Sequence, residues 1–111
     1  MSIKTDYIDT ESALKRLSGN AVLYKKLLRH YLDDSHINEL CQAVEKGNTK
    51  EAIQIAHTLK GVSANLSLNN IRLLATDIEA KLKTGIDCNA LLPELKTSFD
   101  KTKDAIEKYI G

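Results

Sequence analysis

The 111 residues carry 16 Lys and Arg against 15 Asp and Glu, with 42% apolar and 28% charged residues, the balance of one ordinary globular domain with room for its own core. A net charge of +1 gives no sign of the strongly basic surface that nucleic acid calls for, and no apolar run approaches the roughly 18 residues of a membrane span. One proline, five glycines and no tryptophan point away from a turn-rich β fold and towards an all-α chain.

At the N-terminus, "MSIKTDYIDTES" lacks the continuous apolar stretch of a secretory signal, so a cytoplasmic location is expected. Asp9 can cap a short first helix through about Leu17, and "SGN" at 18–20 breaks the chain, with Asn20 able to cap the next helix. The pattern predicts one long second helix from Ala21 to Lys46, about 39 Å at 1.5 Å per residue, ended by Gly47. Its core side is expected to run through Leu23, Leu27, Ile37, Cys41 and Val44, with Tyr24, Leu28, Tyr31 and Leu32 widening the apolar arc, either under cover of Ala13, Leu14 and Leu17 or, for some of them, as an apolar rim with Ile53 that meets a partner. "NTKE" at 48–51 is a variant capping box for a third helix, about Thr49 to Leu66. "SLNN" separates it from a fourth, about Asn69 to Lys83, stopped by Gly85. A last helix starts at Asp87 or Asn89 and reaches about Tyr109, with Pro93 in its first turn, where proline is tolerated. Four long helices with short connections predict an antiparallel four-helix bundle with a short extra N-terminal helix, residues 1–111 forming a single domain. Cys41 and Cys88 have no CxxC spacing; free thiols are expected, with Cys41 buried.

The third helix has an unusual outer face. At about 100° per residue, Ala52, Ile55, Ala56, Leu59, Val62, Ser63 and Leu66 form one apolar or small arc, and His57 points almost directly away from it. Ile53, Gln54, Lys60, Gly61 and Ala64 lie within about 60° of His57, with Asn65 slightly further round. A glycine inside a helix costs about 1 kcal/mol relative to alanine. Close packing does not explain Gly61, because the core arc lies on the opposite side. A solvated face ordinarily carries Glu, Lys and Gln, and a lone exposed histidine is ordinarily only a surface residue. Here Gly61 and Ala64 leave the imidazole standing clear, Ile53 adds an apolar contact and Lys60 a cation. His30 and His36, in "RHYLDDSH", have no such clearing and read as surface residues. Lys15, Arg16, Lys25, Lys26 and Arg29 make a modest basic cluster, read as a solvated face.

Several chemistries lack their parts. Thr58 projects about 100° from His57 and Ser63 belongs to the core arc, so no nucleophile is paired with the imidazole. No other His, Cys, Asp or Glu shares the face, so no metal set is present, and one helical glycine is not a phosphate loop. A neutral imidazole can itself accept a phosphoryl group and pass it on, provided a partner supplies in-line positioning and the remaining charge neutralisation.

"AHTLKGVSANLS" resembles the histidine-containing phosphotransfer (HPt) domain, whose motif reads approximately His-x-Leu-Lys-Gly-x-Ser/Ala-x-x-Leu-Gly; His57, Leu59, Lys60, Gly61, Ser63 and Leu66 match in order. "ALKRLSGNAVLYKKLLRHYL" and "GNTKEAIQIAHTLKG" extend the likeness, which covers residues 8 to 83 well and the last helix only as a generic amphipathic segment. Ser67 stands where the motif tends to end in glycine. The resemblance implies a phosphorelay intermediate in which Nε2 of His57 takes a phosphoryl group from the aspartate of one response-regulator receiver domain and passes it to another. Lys60 would aid the phosphoryl charge; Ile53, Gly61, Ala64 and Asn65 would meet the partner, Asn65 near the imidazole. The implied Mg²⁺ belongs to the receiver, and no intrinsic cofactor or metal is expected. Such domains occur as free proteins or as the C-terminal part of hybrid sensor histidine kinases; the chain has no kinase active site of its own, and a monomer keeps the acceptor face open. The alternative is a helical adaptor that binds a partner through the His57/Gly61/Ala64 face without phosphoryl chemistry.

Overall fold

The computed structural model describes residues 2–111, and among them six helices succeed one another: α1 (Thr10–Arg16), α2 (Ala21–Leu32), α3 (His36–Glu45), α4 (Thr49–Asn65), α5 (Asn69–Lys83) and α6 (Leu91–Ile110). The all-α expectation holds. Each helix end has a local cause. Asp9 accepts from the Ser12 N–H at 3.1 Å and caps α1; Asn20 accepts from the Leu23 N–H at 3.0 Å and caps α2. Gly47 and Gly85 take left-handed φ of 74° and 71° just past α3 and α5. There the following amides close Schellman pairs, Asn48 N–H to Ala43 C=O at 2.9 Å and Ile86 N–H to Lys81 C=O at 2.8 Å. Pro93 is the third residue of α6, where its missing N–H breaks no helical bond. Asn48 sits at the N-cap of α4 but makes no side-chain cap bond, so the capping box read in "NTKE" does not form.

The long helix predicted over 21–46 is two helices, broken at Asp33–Asp34–Ser35. Asp33 and Asp34 donate back to the His30 and Tyr31 carbonyls at 3.2 and 3.0 Å, and the Asp34 carboxylate then takes the His36 N–H at 2.8 Å. Short acidic side chains compete with the helix for backbone donors in this way. The break resets the helical phase. Tyr24, Leu28 and Tyr31 are therefore the buried face of α2, whereas Leu23 and Leu27, placed in the core by an unbroken helix, are exposed. Tyr24 meets Tyr109 and Tyr31 meets Phe99, ring centroids 5.6 and 5.7 Å apart, which fastens α2 to α6. Beyond the break, Ile37, Leu40, Cys41 and Ala43 bury as α3 packs on α4.

The bundle of α3, α4, α5 and α6 holds the core, in which Leu40, Ala52, Ala56, Leu59, Ile71, Ala75, Ile78, Leu95 and Ile106 are fully buried. Small residues on the inner side of α4 and at Ala75 let α4 and α5 approach closely, and this is the most extensive helix pair. Cys41 and Cys88 are buried free thiols whose burial pushes their pKa values up. No helix is long and apolar enough to cross a membrane among the described residues.

Candidate functional site

The α4 arc behaves as its periodicity dictates. Ala52, Ala56, Leu59 and Ser63 are buried and Leu66 nearly so, while Ile55 and Val62 are half-buried. His57 faces outward with 69% of its side chain exposed. Gly61, one turn on, is exposed, and a Cβ built there would meet nothing within 4 Å. The protein's own packing does not require this glycine.

A residue absent from the outward face completes the site. Glu79 of α5 reaches across to α4, and its carboxylate is only 5% exposed. Its Oε2 lies 2.8 Å from His57 Nδ1 and 3.4 Å from Lys83 Nζ; its Oε1 accepts from Lys60 Nζ at 2.6 Å. Three positive or proton-bearing groups thus converge on one buried carboxyl. The Lys60 hydrogen bond, with those of His57 and Lys83, outweighs the opposing effect of burial and holds the Glu79 pKa down at about 2. Glu79 is therefore ionised at neutral pH and can only accept. The proton on the imidazole must then sit on Nδ1, which leaves the lone pair on Nε2, at the exposed edge of the ring. A buried, paired carboxylate fixes both the tautomer and the orientation of an exposed imidazole.

Glu79 had a sequence signal. It falls at the i+4 position from Ala75, beside Ile78, in the apolar stripe of α5 that begins at Ile71. A glutamate there must find a partner, because an unpaired buried charge costs several kcal/mol.

The helix bearing His57 is pinned at its C-terminal end by side chains from two other helices. Tyr24 donates to the Leu66 carbonyl at 2.8 Å, and burial pushes its phenol pKa up, so the hydroxyl stays a donor. Arg16 donates to the Ala64 carbonyl at 2.8 Å and to the Ser67 hydroxyl. Ser67 holds a left-handed φ of 56°, and the Leu68 N–H returns to the Ser63 carbonyl at 2.8 Å. The turn is the Schellman type that glycine ordinarily serves, so serine at this position preserves the turn, with its hydroxyl bonded to Arg16. Arg16 is thus a cap for α4 rather than part of a solvated basic face, and Lys25 lies 5.4 Å over the Tyr109 ring.

Of the remaining expected site residues, Ile53 and Ala64 are half-buried and Asn65 is exposed. The side-chain hydrogen bond of the imidazole goes to Glu79, not Asn65. Asn65 instead lines a shallow, mainly apolar groove with Leu27, His30, Tyr31, Asp34, Val62 and Leu66, between α2 and the C-terminal end of α4. His30 is exposed, and His36 is held 2.7 Å from Asp34 at the start of α3.

The helical bundle presents His57 outward, with Nδ1 tied to a buried carboxylate and Nε2 at the exposed edge of the ring. The family model described as Hpt domain matches residues 26–105, most of the chain. The chain belongs to the Hpt domain family, whose work is phosphotransfer in phosphorelays. The match runs through most of α6, which the sequence motif left generic, and starts within α2. No curated protein and no solved structure matches the chain.

Proposed function

We propose that this Hpt domain is a phosphorelay intermediate in which Nε2 of His57 accepts a phosphoryl group from the aspartyl phosphate of one receiver domain and hands it to the aspartate of another. The supporting observation is the 2.8 Å contact between His57 Nδ1 and the buried Glu79 carboxylate, which selects the neutral tautomer whose lone pair is on Nε2, the edge of the ring turned to solvent. In the forward step the Nε2 lone pair forms the N–P bond as the acyl P–O bond breaks, and the aspartate leaves as a free carboxylate. The Nδ1 proton stays in place, so the ring carries a positive charge opposite Glu79. That charge lowers the barrier to the second transfer, in which the N–P bond breaks and the neutral imidazole is restored. No base is consumed in either direction, which suits a reversible carrier.

Lys60 balances the negative charge of Glu79 within the site, and neutralisation of the equatorial oxygens comes chiefly from the receiver and its Mg²⁺. Gly61 and Ala64 keep the surface low enough for the receiver's phosphoryl group to reach Nε2, and Ile53 and Asn65 border the docking face. The protein works as a cytoplasmic monomer, with this face open. Incubation with a phosphorylated receiver tests the proposal: label should move onto the chain, in a bond labile to acid and stable to base. His57→Gln should abolish labelling and leave helicity unchanged. Binding without label would identify an adaptor instead.

A further inference from the structure

Three groups share Glu79, and they are not held alike. Lys60 Nζ sits 2.6 Å from Oε1 with its side chain 34% exposed. Lys83 Nζ sits 3.4 Å from Oε2 with its side chain 56% exposed. Its nearest partner oxygen is the one that His57 Nδ1 also uses, so the ammonium stands beside the imidazole. Lys83 is also the last residue of α5, one turn beyond Glu79, and its four-carbon stem is free to swing towards solvent.

We propose that the two lysines divide the work: Lys60 stays bonded to Glu79 as a positioning residue, and Lys83 leaves Glu79 to pair with the phosphoryl oxygens when His57 is phosphorylated. This rests on the relay reading above and deepens it. Removing Lys60 from Glu79 would strip a buried carboxylate of its shortest hydrogen bond and disturb the imidazole with it. Removing Lys83 leaves Glu79 with both of its short bonds. Phosphorylation also makes the imidazole ring cationic while it remains 2.8 Å from Glu79, so the carboxylate keeps two positive partners after Lys83 departs. Lys83 then exchanges one exposed, loose ion pair for a contact with a dianion. No atom is gained or lost in that exchange; only the ion pairing changes.

The experiment compares Lys83→Met, Lys83→Arg and Lys60→Met with the wild-type chain, using a phosphorylated receiver as donor. Lys83→Met should keep the wild-type Tm and the Nδ1–H signal of His57 in ¹⁵N NMR, slow transfer by roughly tenfold, as expected for one lost charge-assisted contact, and shift the ³¹P resonance of the phosphohistidine. Lys83→Arg should restore most of the rate. Lys60→Met should lower Tm and alter the His57 ¹⁵N signals before any phosphate is added. Wild-type transfer rates in Lys83→Met would overturn this inference alone, as would equal losses of Tm in Lys83→Met and Lys60→Met. A wild-type chain that takes no label would overturn the relay reading and this inference with it.

Discussion

Gly61 separates what the bundle needs from what its partner needs. The residue lies in the middle of α4, with a helical backbone and open space where a Cβ would go. Alanine at such a position gains about 1 kcal/mol of helix propensity and loses no contact. With an unfolding entropy of about 2.1 cal/mol/K per residue, a chain of 111 residues should gain about 4 °C in Tm. Function should move the other way. A side chain one turn from His57 stands in the path of an incoming receiver, so Gly61→Leu should hold or raise Tm while slowing phosphoryl transfer by roughly tenfold or more, equivalent to about 1.4 kcal/mol in the barrier. The assays are thermal melts monitored by circular dichroism and a time course of label transfer from a phosphorylated receiver. A fall in Tm for Gly61→Ala would mean that the glycine serves internal packing. Unchanged transfer by Gly61→Leu would mean that the partner does not approach over this turn. Either result refutes the reasoning.

Other perturbations test the supports of the site. Glu79 is deprotonated down to a pKa of about 2 in the fold, against an ordinary value of 4.5. Its folded pKa is depressed, so its contribution is present above pH 4.5 and is lost as the pH falls towards 2; by linkage this is roughly 3 kcal/mol. Urea melts of wild type and Glu79→Gln should therefore differ most above pH 4.5 and converge on acidification; parallel pH curves would contradict it. Arg16→Ala removes the side-chain cap on the end of α4 and should cost about 1 kcal/mol, read as a lower urea midpoint at constant m-value. Ser67→Ala loses the bond from Arg16 yet keeps the left-handed strain, whereas Ser67→Gly loses the bond and relieves the strain, about 1 kcal/mol each. The alanine variant should be the less stable of the two, and the opposite order in thermal melts would show that the turn is not strained.

Much of the fold could be read because its punctuation is local. Asp9, Asn20, Gly47, Gly85 and Pro93 act on neighbouring amides, and the ends of α1, α4 and α5 agree with them to within a residue or so. The break after α2 contains neither glycine nor proline. It depends on Asp34 accepting the His36 amide, a competition that hydrophobic periodicity does not register, and the resulting change of phase exchanged Leu23 and Leu27 for Tyr24 and Leu28 in the core. The outward set on α4 was legible because one helix carries His57, Lys60, Gly61 and Ala64. Glu79 was legible only as a glutamate in the apolar stripe of α5; its pairing with His57 was not, since that partner lies 22 residues away and only the α4–α5 packing brings the two together. Arg16 is further still from Ala64 in sequence, so its capping role belongs to the tertiary structure alone.

If Glu79 holds the proton on Nδ1, Nε2 of His57 is the phosphoryl acceptor. Two-dimensional ¹H–¹⁵N NMR of the chain after phosphorylation by a receiver tests it most directly. Phosphorus should appear on Nε2 with Nδ1 still protonated; phosphorus on Nδ1, or on His30 or His36, would overturn the role given to Glu79.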